Sequence, residues 1–128
     1  MMKIDEIMRS GEDVAAVPLD SSLSDTILEI TSKRLGATAV LDKLGKVKGI
    51  VTDGDLRRLM ESRQDIWNLR ARDVMTQGPK TVVAGSLAAN AFALMEKHAI
   101  NQLIVVDKRS RPEGMVHLHD LLKAGLAD

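Results

Sequence analysis

Apolar positions along the chain change period in a fixed order, and that order occurs twice. After Ser22 the stretch LSDTILEITSKRL places Leu23, Ile27, Ile30 and Thr31 at helical spacing, and Ser22 with Asp25 forms a capping box, so a helix is predicted to begin there. From Ser86 the stretch LAANAFALMEKHA puts Leu87, Ala91, Leu94 and Met95 on one face of a second helix. Each helix is followed by a short aliphatic run, AVL at 39–41 and LIVV at 103–106, then a turn rich in Gly, Lys, Arg or Pro, then a further run, VKGIV or EGMV. These lead into DLRRLMES and DLLKAGL, short helices begun near Asp55 and Asp120, where a carboxylate suits the positive end of the helix dipole. Brief extended segments at Val14 to Val17 and Thr81 to Val83 complete a β-α-β-β-α unit in each half.

The residues repeat as well as the periods. Asp42 answers Asp107, Gly49 answers Gly114 and Asp55 answers Asp120, each 65 positions on. Ile7-Met8 answers Val74-Met75 and Gly11 answers Gly78 at a spacing of 67, while Ser22-Leu23 answers Ser86-Leu87 at 64, which puts a three-residue difference ahead of the first helix. The boundaries this implies are a first unit at 1–63, a linker at 64–70 and a second unit at 71–128. A helix-flanked three-stranded sheet of about 60 residues buries too little surface to be comfortable alone. The predicted fold is therefore α/β, of the α+β type, with two β-α-β-β-α units stacked about a pseudo-twofold axis. Trp67, the lone tryptophan, lies in the linker and is expected to serve as an apolar plug over the seam.

Composition narrows the function. With 45% hydrophobic and 28% charged residues the chain is an ordinary globular one, and a single Phe, a single Trp and no Tyr leave no aromatic platform for stacked bases. Eighteen basic residues balance eighteen acidic ones, so no broad positive field attracts nucleic acid. The absence of Cys removes disulfides, thiolate metal sites and cysteine nucleophiles. The opening MMKIDEIMRSGED carries no apolar run, so no signal peptide or membrane span is read there and a cytoplasmic location is expected.

The candidate chemistry sits where the second strand meets the short helix. Thr52 ends a strand and Asp55 starts a helix, an arrangement that offers backbone N–H groups and a hydroxyl to a phosphate and a carboxylate to the hydroxyls of a ribose. Asp53 and Gly54 lie within the turn, with Gly54 expected to permit close approach, and Arg57 and Arg58 offer guanidinium forks. A plain helix cap with a solvated basic face would also explain Asp55 and the arginines. Asp120 at the same place in the second unit favours paired nucleotide clefts, and there His117 stands where Thr52 stands in the first, with His119 beside it. His117, His119 and His98 form an incomplete metal pattern, so no metal and no cofactor are expected. Met60, Met75 and Met95 are read as core or interface fillers. No nucleophile and base, no contrasted carboxylate pair and no phosphate loop followed by Lys-Ser/Thr is present, so no catalytic residue is assigned.

GIVTDGDLRR at 49–58, with GMVHLHD as its second copy, resembles the ligand-reading turn of cystathionine-β-synthase-type (CBS) domains. With HLHDLLKAGL and the opening DEIMRSGED, nearly the whole chain is similar to the C-terminal half of D-arabinose 5-phosphate isomerases, enzymes that feed Kdo and lipopolysaccharide or capsule synthesis. The resemblance implies a CBS pair that is not itself an enzyme. It implies that isomerisation belongs to a sugar-isomerase (SIS) domain of the parent protein, which this sequence lacks. It also implies homo-oligomers built as dimers of CBS pairs. The expected function is regulatory binding of a nucleotide or nucleotide-sugar, AMP, ATP or CMP-Kdo among the candidates, with a purely structural oligomerisation module as the alternative.

Overall fold

The computed structural model describes residues 1–126, so the last two positions of the predicted second unit lie outside the described residues. The first half of the chain forms a 3-10 turn at Ile4–Glu6, β1 (Arg9–Ser10), a 3-10 turn at Gly11–Asp13, β2 (Ala16–Pro18), α1 (Leu23–Lys33), β3 (Ala37–Leu41), β4 (Val47–Thr52) and α2 (Asp53–Glu61). The second half forms α3 (Ala71–Val74), β5 (Thr76–Gln77), β6 (Thr81–Val83), α4 (Ala88–His98), β7 (Gln102–Val106), β8 (Pro112–His117) and α5 (Leu118–Lys123).

The β-α-β-β-α order is present in both halves, but each sheet has four strands, in the orders β2-β3-β4-β5 and β1-β8-β7-β6. The additional strand in each is the short one that leads the other sequence repeat. In packing terms the chain divides into one unit at Ala15–Pro79 and another made of Met1–Val14 with the chain from Lys80 onward. The physical reason is edge satisfaction. β4 would otherwise present unpaired groups, and β5 covers it through Gly49↔Gln77 and Ile50↔Thr76. β1 does the same for β8 through Arg9↔Met115 and Ser10↔Gly114.

Each leading segment is pinned by a wholly buried apolar residue. Ala71 joins Val17, Ile30, Val40 and Val51 in the core of the 15–79 unit. Ile4 joins Ala91, Phe92, Met95, Leu103 and Leu121 in the other. Full burial of an isoleucine side chain stabilises by about 1.5–3 kcal/mol, enough to hold a two-residue strand in place.

Helix starts differ from the sequence reading in one copy. Ser22 is the N-cap of α1 and accepts the N–H of Asp25 at 3.1 Å. α4 begins at Ala88 with Leu87 at its N-cap, and the Ser86 hydroxyl donates back to the Val83 carbonyl at 2.6 Å. The strands β2 and β6 and the helices α1 and α4 therefore all stand 65 apart, and the length difference between the copies is two residues, taken up ahead of β2 where the first copy makes its Gly11–Asp13 turn. On α1, Thr26 rather than Thr31 faces inward, and its hydroxyl is satisfied by the Ser22 carbonyl at 2.8 Å. Phe92 adds to the predicted α4 face.

Trp67 is 61% exposed and plugs nothing; the buried apolar residue of that segment is Ile66 at 6%. The segment is a surface turn closed by the Leu69 N–H on the Ile66 carbonyl, with Ile66 turned inward and Trp67 outward. Met95 is buried and Met75 packs against the core of its unit, whereas Met60 is exposed.

Candidate functional site

The β4–α2 turn gathers the first set of predicted residues. Thr52 caps α2 by accepting the Asp55 N–H on its hydroxyl at 3.2 Å, while Asp55 Oδ2 accepts the Thr52 N–H at 3.0 Å, a closed capping box. The other carboxylate oxygen of Asp55 accepts from Arg58 at 2.6 Å, a charge-assisted contact one helical turn along. Asp53 donates its N–H to the Gly36 carbonyl at 3.0 Å, so two of the first-turn amides offered to a phosphate by the sequence reading already have partners. The groups that face outward are the Asp53 carboxylate and the guanidinium groups of Arg57 and Arg58. At Gly54 a Cβ would meet nothing of the chain nearer than the tip of Arg58 at 3.4 Å.

Close approach between segments of the chain occurs at Gly49 and Gly114. A Cβ on Gly49 would lie 2.3 Å from Met75 Sδ, and one on Gly114 would lie 2.3 Å from Met8 Sδ and 2.9 Å from the Arg9 carbonyl oxygen. The glycine that opens each repeated motif thus admits the leading segment of the other sequence repeat.

The β8–α5 turn gathers the second set. Asp120 Oδ2 accepts the His117 N–H at 3.2 Å, and Arg9 reaches Asp120 Oδ1 at 3.4 Å from β1. His117 Nδ1 accepts the N–H of His119 at 3.0 Å, and the two rings stand 4.4 Å apart at a tilt of 51°. Leu118 donates to the Asn101 carbonyl at 2.8 Å, the counterpart of Asp53 on Gly36. Burial depresses the pKa of His117 below the ordinary imidazole value, with His119 and Arg9 acting in the same direction and Asp120 opposing. His98 is exposed at the end of α4, and among the described residues no three His, Asp or Glu side chains gather as metal ligands.

Beside α2 lies an open groove of about 400 Å³ whose walls include Asp55, Arg58 and Leu59 on one side and Asp73, Met75 and Thr76 on the other. Its second wall is the leading segment of the second repeat. Sequence reasoning missed Asp73 and Thr76 here and Arg9 at the other turn. The 67-residue spacing marks Arg9 and Thr76 as counterparts, but only the strand pairing of β1 with β8 and of β5 with β4 brings each beside an acidic turn.

Two four-stranded sheets, each carrying a capped acidic turn at the end of the second strand of its hairpin, define a tandem repeat of a small mixed α and β module. The CBS domain model matches residues 4–62 and again 71–127, and the chain belongs to that family as a CBS pair. It is 44% identical over 126 residues to arabinose 5-phosphate isomerase KdsD of Pseudomonas aeruginosa, covering 98% of this chain and 39% of the relative. For the Escherichia coli K12 enzyme of the same name the identity is 39%, with 98% and 38% covered. The chain thus spans about two-fifths of the length of these curated relatives. Among solved structures, CBSX2 in complex with AMP superposes with a TM-score of 0.80 at 20% identity, covering 97% of this chain and 96% of that one. The CBS pair of MJ0100 in complex with 5′-methylthioadenosine and S-adenosylmethionine gives 0.86 at 18% identity, covering 97% and 95%. Those likenesses establish the shared fold. No helix among the described residues is long and apolar enough to cross a membrane.

Proposed function

We propose that this CBS pair is the nucleotide-sensing part of an arabinose 5-phosphate isomerase. The catalytic SIS domain belongs to the parent protein, which is cytoplasmic and assembles through CBS pairs. The observation that carries the reading is the groove beside α2, where a carboxylate, a guanidinium and a threonine converge next to apolar Leu59 and Met75. That set matches the ribose, phosphate and base of an adenine or cytidine nucleotide or of a nucleotide-sugar such as CMP-Kdo. Thr52, Asp53, Gly54, Asp55, Arg57 and Arg58 serve the first cleft, and His117, His119 and Asp120 the second. Adenosine ligands on CBSX2 and MJ0100 support the ligand class, and the identity to KdsD supports the parent.

Because Asp55 is engaged by Arg58, a ribose takes its place on the carboxylate by displacing the guanidinium, which frees Arg58 to meet the phosphate. The test is a thermal-shift series with AMP, ATP, CMP and CMP-Kdo on the unsubstituted chain, on Asp55→Ala and on Asp120→Ala. A ligand at 100 times its dissociation constant adds about 2.7 kcal/mol of stability. Losing a charge-assisted acceptor weakens binding by roughly ten- to a hundredfold. The ligand-induced shift, measured against each protein's own ligand-free melting point, shrinks accordingly in the variant. An undiminished shift in both Asp55→Ala and Asp120→Ala removes the ribose assignment. No shift with any nucleotide favours the oligomerisation module, a reading consistent with both aspartates being occupied in capping boxes.

A further inference from the structure

The two acidic turns close in the same way but with different chemistry at the cap. In the first, the acceptor for the helix amide is the Thr52 hydroxyl, which keeps its lone pairs throughout the neutral range. In the second it is His117 Nδ1, 3.0 Å from the His119 N–H, and an imidazole can accept there only while that nitrogen carries no proton. The groups facing the ring are His119 and Asp120 on α5 and Arg9 on β1, while its register partner on β7, Gln102, is uncharged. Asp120 favours a cation, but its oxygens already accept from the His117 backbone and from Arg9. Arg9 and the second ring disfavour one.

We propose that His117 is a proton-sensitive cap: protonation turns its Nδ1 from acceptor to donor, releases the first turn of α5 and loosens the acidic turn of Asp120, while the turn of Asp55 is unaffected. The depressed pKa supports the direction. A folded state that holds the proton less tightly than the unfolded chain is fully stable above the unfolded imidazole value of about 6.5. It loses stability as the pH falls through that value, until the folded value is passed. The device acts without ligand.

The experiment follows backbone amide protection by NMR and the melting temperature of the whole chain from about pH 7.5 to about pH 5.5. The protection factor of the His119 amide is expected to fall roughly five- to tenfold, the loss of one cap, with that of Asp55 unchanged. His117→Thr, which installs the cap of the other copy, removes the fall and flattens the melting profile. His119→Gln keeps the backbone donor and the His117 ring and therefore keeps the fall. Should His117→Thr not fold, His117→Asn supplies a non-titrating cap for the same comparison. Constant protection at His119 across the range, or an unchanged pH profile in the capped variant, overturns the proposal.

Discussion

Replacing Gly49 or Gly114 by alanine probes the point at which each unit admits its leading segment, and the two replacements differ in a way the geometry dictates. The three atoms nearest a new Cβ at Gly49 all belong to Met75, at 2.3, 2.7 and 3.0 Å. Met75 is only partly buried and has three rotatable bonds, so it can swing aside at the expense of its packing. At Gly114 the two nearest atoms belong to Met8, but the third is the Arg9 carbonyl oxygen at 2.9 Å. That oxygen is fixed by the pairing of β1 with β8, Gly114 facing Ser10 in register. Overpacking of this kind costs about 1–3 kcal/mol, so Gly49→Ala belongs near the low end and Gly114→Ala near the high end. For units of 60–100 residues each kcal/mol lowers the melting temperature by roughly 4–8 °C, so the two variants separate clearly by circular dichroism.

A double-mutant comparison makes the reasoning sharper. Met75→Ala removes the two shortest contacts of the Gly49 methyl, at 2.3 and 2.7 Å, and leaves only the Cβ of residue 75 at 3.0 Å, so the methyl fills part of the space vacated. Gly49→Ala with Met75→Ala is therefore expected to be less destabilised than the sum of the single changes by about 1 kcal/mol. Met8→Ala leaves the Arg9 carbonyl where it is, so it rescues Gly114→Ala much less. If both glycine variants melt with the parent, or if Met8→Ala rescues as fully as Met75→Ala, the close-approach account is wrong.

Two smaller effects follow from the hairpin turns. Asp42 accepts the N–H groups of Leu44 and Lys46, and Asp107 those of Arg109 and Arg111, and these backbone bonds, Lys46 and Arg111 foremost, hold both carboxyls below the usual range. Stability they contribute is present above the unfolded value of about 3.9 and lost as the pH falls through the folded values, so melting below about pH 4 should be less pH-dependent in Asp42→Asn with Asp107→Asn than in the parent. Ser110 has φ of 62° where the first copy has Gly45 at 79°. Ser110→Gly should therefore raise stability by about 0.5–1 kcal/mol in denaturant titration.

What the sequence made legible was whatever repeats with a local period. The order of elements, the hairpins around Asp42 and Asp107 and the placement of Asp55 and Asp120 at helix starts all follow from spacing, because the hydrogen bonds involved join residues two to four apart. What escaped was non-local. Arg9 meets Asp120 across 111 positions, and Thr76 reaches its groove through strand pairing, which no periodicity encodes. Gly49 likewise gave no local signal, because what requires a glycine there is a methionine from the other repeat lying over it. The repeat set Ser86 opposite the capping Ser22, yet the Ser86 hydroxyl serves the Val83 carbonyl.

The pairing of each sheet with the leading strand of the other repeat yields a final prediction about where the chain can be cut. A fragment ending at residue 63 carries β1, whose partner β8 is missing, and lacks α3 and β5, so β4 keeps an open edge and the core loses Ala71 and the cover of Met75. A fragment of residues 15–79 contains the whole of one sheet, its core and both caps of α1 and α2 in a single continuous stretch. At about 60 residues a domain buries only some 60% of its extended surface, so the loss of one edge strand and one core residue is decisive at this size. The 15–79 fragment should melt cooperatively by circular dichroism, and the 1–63 fragment should show a broad transition or none, despite matching the sequence repeat more closely. Adding a synthetic peptide of residues 64–79 to the 1–63 fragment should restore part of the transition, because it returns Ala71, Met75 and β5. Were the 1–63 fragment to melt as sharply as the 15–79 fragment without the peptide, β5 and Ala71 would contribute little to that unit, and the sequence repeat would be the folding unit after all.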